Sequence, residues 1–174
     1  VEAPIVAFDR NLAPKIPIVS SDNFEGGKLA ARAMVKAGCQ RIVMITGYDN
    51  SDSPTGLRQL GFNYELDKEG IICPVPNDLS LMRRELDIKS IISREKPDGI
   101  FVSDDLTAIL VMKIARQLGL SIPDDLKIIG YDGTAFIRHF YPELATIQQP
   151  LDEIAKLCVE ILLKKIKGKT VNRD

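Results

Sequence analysis

The chain has 174 residues, 45% of them apolar and 27% charged, with 23 Lys and Arg against 24 Asp and Glu. That is material for one sizeable core, or for one domain and a fragment of another. The charge balance excludes the overall basic field of a bare nucleic-acid-binding domain.

No stretch reaches the apolar length needed to cross a bilayer, so no membrane partner is expected. Residues 1–10 lack the charged-then-apolar order of a secretory leader, which points to a cytoplasmic protein. The opening VEAPIVAFDR enters an apolar run at once, as expected of a piece of a longer chain. PIVAFDR (4–10) and IPIVSSD (16–22) read as a pair of strands with a proline-containing connection. From residue 22 onward, short β-branched runs alternate with segments of helical apolar spacing. GGKLAARAMVKAG (26–38) predicts a helix, RIVMITG (41–47) a strand, TGLRQLGFNYELDKEG (55–70) a helix and IICPVP (71–76) a strand. LMRRELDIKSIISRE (81–95) predicts a helix, GIFVSDD (99–105) a strand, DLTAILVMKIARQLG (105–119) a helix and LKIIGYDG (126–133) a strand. IRHFYPEL reads as an aromatic loop, ATIQQP (145–150) as a short extended run, and LDEIAKLCVEILLKKIKG (151–168) as a final amphipathic helix. Gly38, Gly70 and Gly119 stand at expected helix C-termini, and Asp104 or Ser103 can cap the helix that starts near Leu106.

Strands buried on both faces that alternate with helices imply an α/β, doubly wound parallel sheet with right-handed crossovers. In such sheets ligands sit beyond the carboxyl ends of the strands. Asp104 and Asp105 end one strand and Asp132 ends another, while Asp49, Asp52 and Arg58 follow RIVMITG. Clustered carboxylates could bind magnesium and accept a phosphoryl group, as in a receiver domain. A receiver, however, carries its acidic pair on the first strand rather than a late one. A Rossmann-type nucleotide site needs a glycine-rich turn, whereas TGYDNSDSPTG has glycines only at its edges, and its two acids, Asp49 and Asp52, would repel phosphate. The single histidine, His139, does not assemble a catalytic triad. Cys39, Cys73 and Cys158 are widely spaced in apolar surroundings and read as reduced, core-filling thiols, with no metal site and no cofactor expected. Carboxylates around one arginine suit a neutral, hydroxyl-rich ligand, because Asp accepts hydroxyl hydrogens and Arg donates a fork. The plainer alternative stays open: Asp104 only caps a helix, and Arg58 only pairs with an acid such as Asp52.

The collinear phrases FDR, DNFEGG, LRQLGF, GLSIPDDLKIIGYD and TIQQP followed by a helix resemble the lactose-repressor family of bacterial transcription regulators, in its effector-binding region. The resemblance implies the periplasmic-binding-protein-like type I fold, with a small carbohydrate held in a cleft between two lobes. It assigns residues 22–144 to a complete C-terminal lobe, and residues 1–21 and 145–174 to part of the N-terminal lobe. It places the DNA-binding head outside the chain, so operator DNA would be met only through that missing N-terminal head, by a homodimer. The effector-binding positions it carries over are Asp9, Arg10, Arg58, Asp104, Asp132 and Gln149, with Asp105 as the helix cap. Cys39 departs from the family, which usually has histidine there. The family acts by binding rather than catalysis. A periplasmic-type sugar-binding transport protein shares the fold and is the alternative reading.

Overall fold

Residues 3–47, 53–66 and 70–168 are described in this computed structural model. In chain order the elements are β1 (Ala7–Phe8), β2 (Ile18–Val19), α1 (Asn23–Lys36), β3 (Ile42–Thr46), α2 (Pro54–Leu66), β4 (Ile71–Pro74) and α3 (Leu81–Glu95). There follow β5 (Gly99–Val102), α4 (Asp105–Gln117), β6 (Lys127–Asp132), α5 (Ala135–Phe140), β7 (Ala145–Gln148) and α6 (Leu151–Ile166).

The chain divides into two units, one of Val1–Asp22 with Pro150–Asp174 and one of Asn23–Gln149. The expected boundary at residues 144 and 145 is corrected by this division. β7 pairs in parallel with β6, Tyr131 opposite Ile147, so residues 145–149 complete the larger sheet. The physical reason is backbone satisfaction: a lone extended run joins whichever sheet edge offers it partners.

In the larger unit, five described strands run parallel in the order β4-β3-β5-β6-β7. β3 and β5 are buried at every position, as their unbroken apolar runs IVMIT and GIFV demand. Alternation then sorts their side chains between two helical layers. Met44 and Phe101 pack with Ala30 and Met34 of α1 and Phe62 of α2. On the opposite face Val43, Ile45, Ile100 and Val102 pack with Ile88 of α3 and Val111 of α4. Cys39 and Cys73 are buried, free thiols, one in each layer's core.

The chain moves outward from β3 to β4 and then returns to β5 on β3's other side. The order therefore reverses between β3 and β5, the place where doubly wound sheets open a crevice at their carboxyl edge. Gly38 and Gly119, at φ of 83° and 81°, end α1 and α4 in the left-handed conformation expected of glycine there. Two local expectations change. α1 starts at Asn23, three residues before the predicted Gly26. IRHFYPEL is not all loop: Thr134 accepts a hydrogen bond from the Ile137 N–H and opens the short helix α5.

In the smaller unit, β1 and β2 pair in parallel, Ala7 opposite Ile18 and Phe8 opposite Val19. Ala7 and Val19 are its buried strand residues, and Ile154 is the buried residue of α6. Lys165 Nζ donates to the Ile5 carbonyl at 3.2 Å.

Candidate functional site at the carboxyl edge of the larger sheet

Thr46 ends β3 opposite Pro74 of β4. One step beyond the Ile45–Val102 pair of β3 and β5, Ser103 donates its N–H to the Ile45 carbonyl at 3.0 Å. Strand ends at this edge carry the polar side chains of the candidate site, and the helices that follow supply the rest.

Arg58 comes from the second turn of α2 and is only 6% exposed. Its Nε–H donates to Asn23 Oδ1 at 2.8 Å and its Nη1–H to the Ser103 carbonyl at 2.6 Å. The guanidinium carbon lies 3.6 Å from the centroid of the Tyr131 ring. A cation stacked on a desolvated ring and tied at two of its nitrogens is held in one orientation.

The sequence makes room for this arrangement with glycine. A Cβ at Gly27 would meet the Arg58 carbonyl, one at Gly61 the Phe24 carbonyl, and one at Gly26 the Tyr131 ring. Close approach of α1 and α2 therefore brings Asn23 to Arg58. The Arg32–Glu65 pair, with two hydrogen bonds of 3.0 and 2.9 Å, joins the same two helices at the surface.

Asp104 is the N-cap of α4, with extended backbone at φ −153° and ψ 154°. Its Oδ1 accepts the Thr107 N–H and its Oδ2 the Thr107 hydroxyl, each at 2.8 Å. Asp105 turns inward and is 2% exposed. Its Oδ2 accepts the Gly133 N–H at 2.8 Å and its Oδ1 the Thr146 hydroxyl at 2.7 Å. This reverses the expected capping assignment. The cap belongs to Asp104 because the last non-helical residue is the one whose side chain reaches back to the third helical N–H. Asp105, the first helical residue, instead ties α4 to the ends of β6 and β7.

Asp132 ends β6 at φ 122°. Its Oδ1 accepts the Gln149 Nε2–H at 2.7 Å, and its carbonyl accepts the Gln149 N–H at 3.0 Å. Burial pushes the Asp132 carboxyl above its ordinary range. The Gln149 hydrogen bond and the Arg58 charge pull it down, and the Asp105 and Asp104 charges add to the rise. Burial likewise raises Asp105, against its bonds from Thr146 and Gly133.

The larger unit thus gathers Arg58, Asp104, Asp132 and Gln149, with Asp105 behind them. Asp9 and Arg10 belong to the smaller unit, just after β1. Asp9, at φ 61°, donates its N–H to the Val19 carbonyl at 2.9 Å, and the Arg10 N–H reaches the Phe8 carbonyl at 2.6 Å. Asp49 and Asp52 lie outside the described residues. Sequence reasoning did not single out Asn23, Tyr131 or Thr107, and it considered Ser103 only as a helix cap. Asn23 and Tyr131 stood inside the quoted phrases DNFEGG and GYD, whereas the Ser103 carbonyl has no side-chain signature at all. His139 is exposed on α5, its ring edge-on to Phe140 at 5.0 Å. Among the described residues, no group of three or more His, Cys, Asp or Glu is placed to hold a metal ion.

A fixed guanidinium close to carboxylates offers both donors and acceptors at this strand edge. A sucrose operon repressor from Streptococcus mutans serotype c is 59% identical over 174 residues, which is 100% of this chain and 54% of that protein. Another from Lactococcus lactis subsp. lactis is 45% identical, over 99% of this chain and 54% of its own length. The chain spans about half the length of these curated relatives. Among solved structures, a periplasmic binding protein/LacI transcriptional regulator from Alkaliphilus metalliredigens QYMF, complexed with D-xylulofuranose, superimposes with a TM-score of 0.82 at 33% identity. That match covers 98% of this chain and 65% of that one. The periplasmic binding protein-like domain matches residues 31–174, and the chain belongs to that family, alongside regulators of the lactose-repressor type.

Proposed function

We propose that this chain is the effector-binding part of a sugar-responsive transcriptional repressor, with a small carbohydrate as its ligand. The observation that carries the reading is buried Arg58, 3.6 Å from the Tyr131 ring centroid and bonded to Asn23 and Ser103, with its charge acting on the Asp132 carboxyl and Asp104 capping α4 at the same strand edge. Free N–H groups of the fork donate to sugar oxygens, and the carboxylates accept sugar hydroxyls. A ligand lacking those hydroxyls would leave buried polar groups unpaired, which makes the site selective. Gln149 orients Asp132 through its amide. Asp9 and Arg10, on the smaller unit, are carried as further ligand contacts.

Because the relatives are named as repressors, control of operator DNA by a homodimer is the reading favoured over a transport protein. Operator contact would come from a part of the longer protein outside this chain. The sugar would act by differential affinity for two states of the repressor, shifting their populations by the ratio of its two affinities.

The test is calorimetry and thermal shift on the full-length protein with sucrose, D-fructose, D-glucose and D-ribose. One of them is expected to raise the melting temperature by mass action. Arg58→Met should cost about 2–4 kcal/mol of binding, roughly 30-fold or more in Kd. Asp9→Asn and Arg10→Met should each lower affinity without that collapse. Unchanged affinity in Arg58→Met would overturn the site assignment.

A further inference from the structure

Arg84 lies in the first turn of α3, and α3 belongs to the helical layer opposite the one that carries Arg58. Its neighbour Arg83 pairs with Asp87 at 3.1 Å. Arg84 makes no ion pair within 4 Å among the described residues, and its buried Nε has no hydrogen-bond partner there. Among the described residues, its one side-chain hydrogen bond runs from Nη2 to the Thr107 hydroxyl oxygen at 2.6 Å. That hydroxyl oxygen is also 2.8 Å from Asp104 Oδ2.

The donor arithmetic fixes the direction of this chain. A guanidinium can only donate, so Thr107 Oγ1 accepts from Arg84. The single hydroxyl hydrogen is then directed to the carboxylate, which can only accept while ionised. Donor, hydroxyl and acceptor polarise one another in series, with a cation at one end and an anion at the other. Each Asp104 oxygen accepts once from Thr107 and keeps further lone-pair capacity. Asp104 remains partly exposed. The carboxylate is thus clamped in plane while its outer lone pairs stay open.

An arginine that served only to join α3 to α4 would be better satisfied by a carboxylate. Glu85, the next residue, takes that part with Lys113 of α4 at 2.7 Å. Arg84 ends instead on a hydroxyl already committed to the rim acid, with one of its own donors buried and unmet, a cost that calls for a reason.

We propose that Arg84 is a positioning residue that acts through the Thr107 hydroxyl to fix the Asp104 carboxylate as a sugar-hydroxyl acceptor. The inference rests on the carbohydrate reading above and extends it to a residue that touches no ligand. Arg58 and Arg84 then support the rim from opposite faces of the sheet, one by donating to ligand and the other by aiming an acceptor.

The test is a double-mutant cycle in the full-length protein, read in two ways. Calorimetry uses the sugar of the four named above that the wild type binds. Arg84→Met and Thr107→Val should each weaken binding about tenfold, Thr107→Ser should stay within about twofold, and Arg84→Met in an Asp104→Asn background should change affinity less than about twofold. Thermal unfolding without sugar reads the physical link: the combined loss of Arg84→Met and Asp104→Asn should be smaller than the sum of the single losses. Additive losses in affinity would overturn the positioning role even if every variant folds. Additive losses in unfolding would overturn the relay itself. A wild type that binds none of the four sugars counts against the carbohydrate reading, and the unfolding cycle still decides the relay.

Discussion

Asp104 and Asp105 are chemically identical neighbours in different surroundings. One caps α4 at the rim, and the other is buried against Gly133 and Thr146. For Asp105 and Asp132, burial raises the folded-state pKa above the ordinary value of 3.8. Each therefore binds its proton more tightly in the folded chain than in the unfolded one. Between 3.8 and the raised values the folded state holds the extra proton, so these two acids make stability fall as pH rises through that window. Asp105→Asn should flatten this part of the slope relative to wild type in denaturant unfolding measured at stepped pH. An unchanged slope would show that Asp105 titrates as an ordinary surface acid. Sequence reasoning located both acids at the strand end but gave the cap to Asp105, where the structure gives it to Asp104. Either could cap a helix, and the choice turned on a one-residue boundary that apolar spacing does not resolve.

Among elements, the α1–α2 contact positions Arg58, and glycine sets its closeness. Gly27→Ala would push a methyl group into the Arg58 carbonyl and force the helices apart. The expected loss is about 1–3 kcal/mol of stability, with weakened sugar binding because Asn23 leaves the guanidinium. Circular dichroism melts and calorimetry on the one variant check both effects. The same glycines explain an error of reading. The predicted helix began at Gly26, yet here Gly26 is an interior residue that gives space to Tyr131. The strands were legible because each is a short run of apolar and β-branched residues between turn signals. α5, with six residues and few apolar contacts, carried too little periodicity to separate it from a loop. β7 was recognised as extended but placed in the wrong unit, since its four residues hold no record of which edge they join.

At the scale of the molecule the two units differ in core. The larger has two continuous apolar layers around fully buried β3 and β5. Among the described residues the smaller has two two-residue strands and one helix, on which Val159 and Ile166 are 56% and 60% exposed. In native-state hydrogen exchange of the 174-residue chain, amides of β3 and β5 should be the slowest and those of β1, β2 and α6 among the fastest. Equal protection across both units would show one cooperative structure. The carboxyl-edge site stands on the slow side of that contrast, so its geometry should outlast loosening of the smaller unit. The paired acids also make the strand-to-helix turn intolerant of length change. Deleting either Asp104 or Asp105 would leave a single carboxylate where the fold uses two, facing opposite ways. Either the first turn of α4 or the anchorage of β6 and β7 would lose its acceptor, and no substitution elsewhere in the turn could restore both.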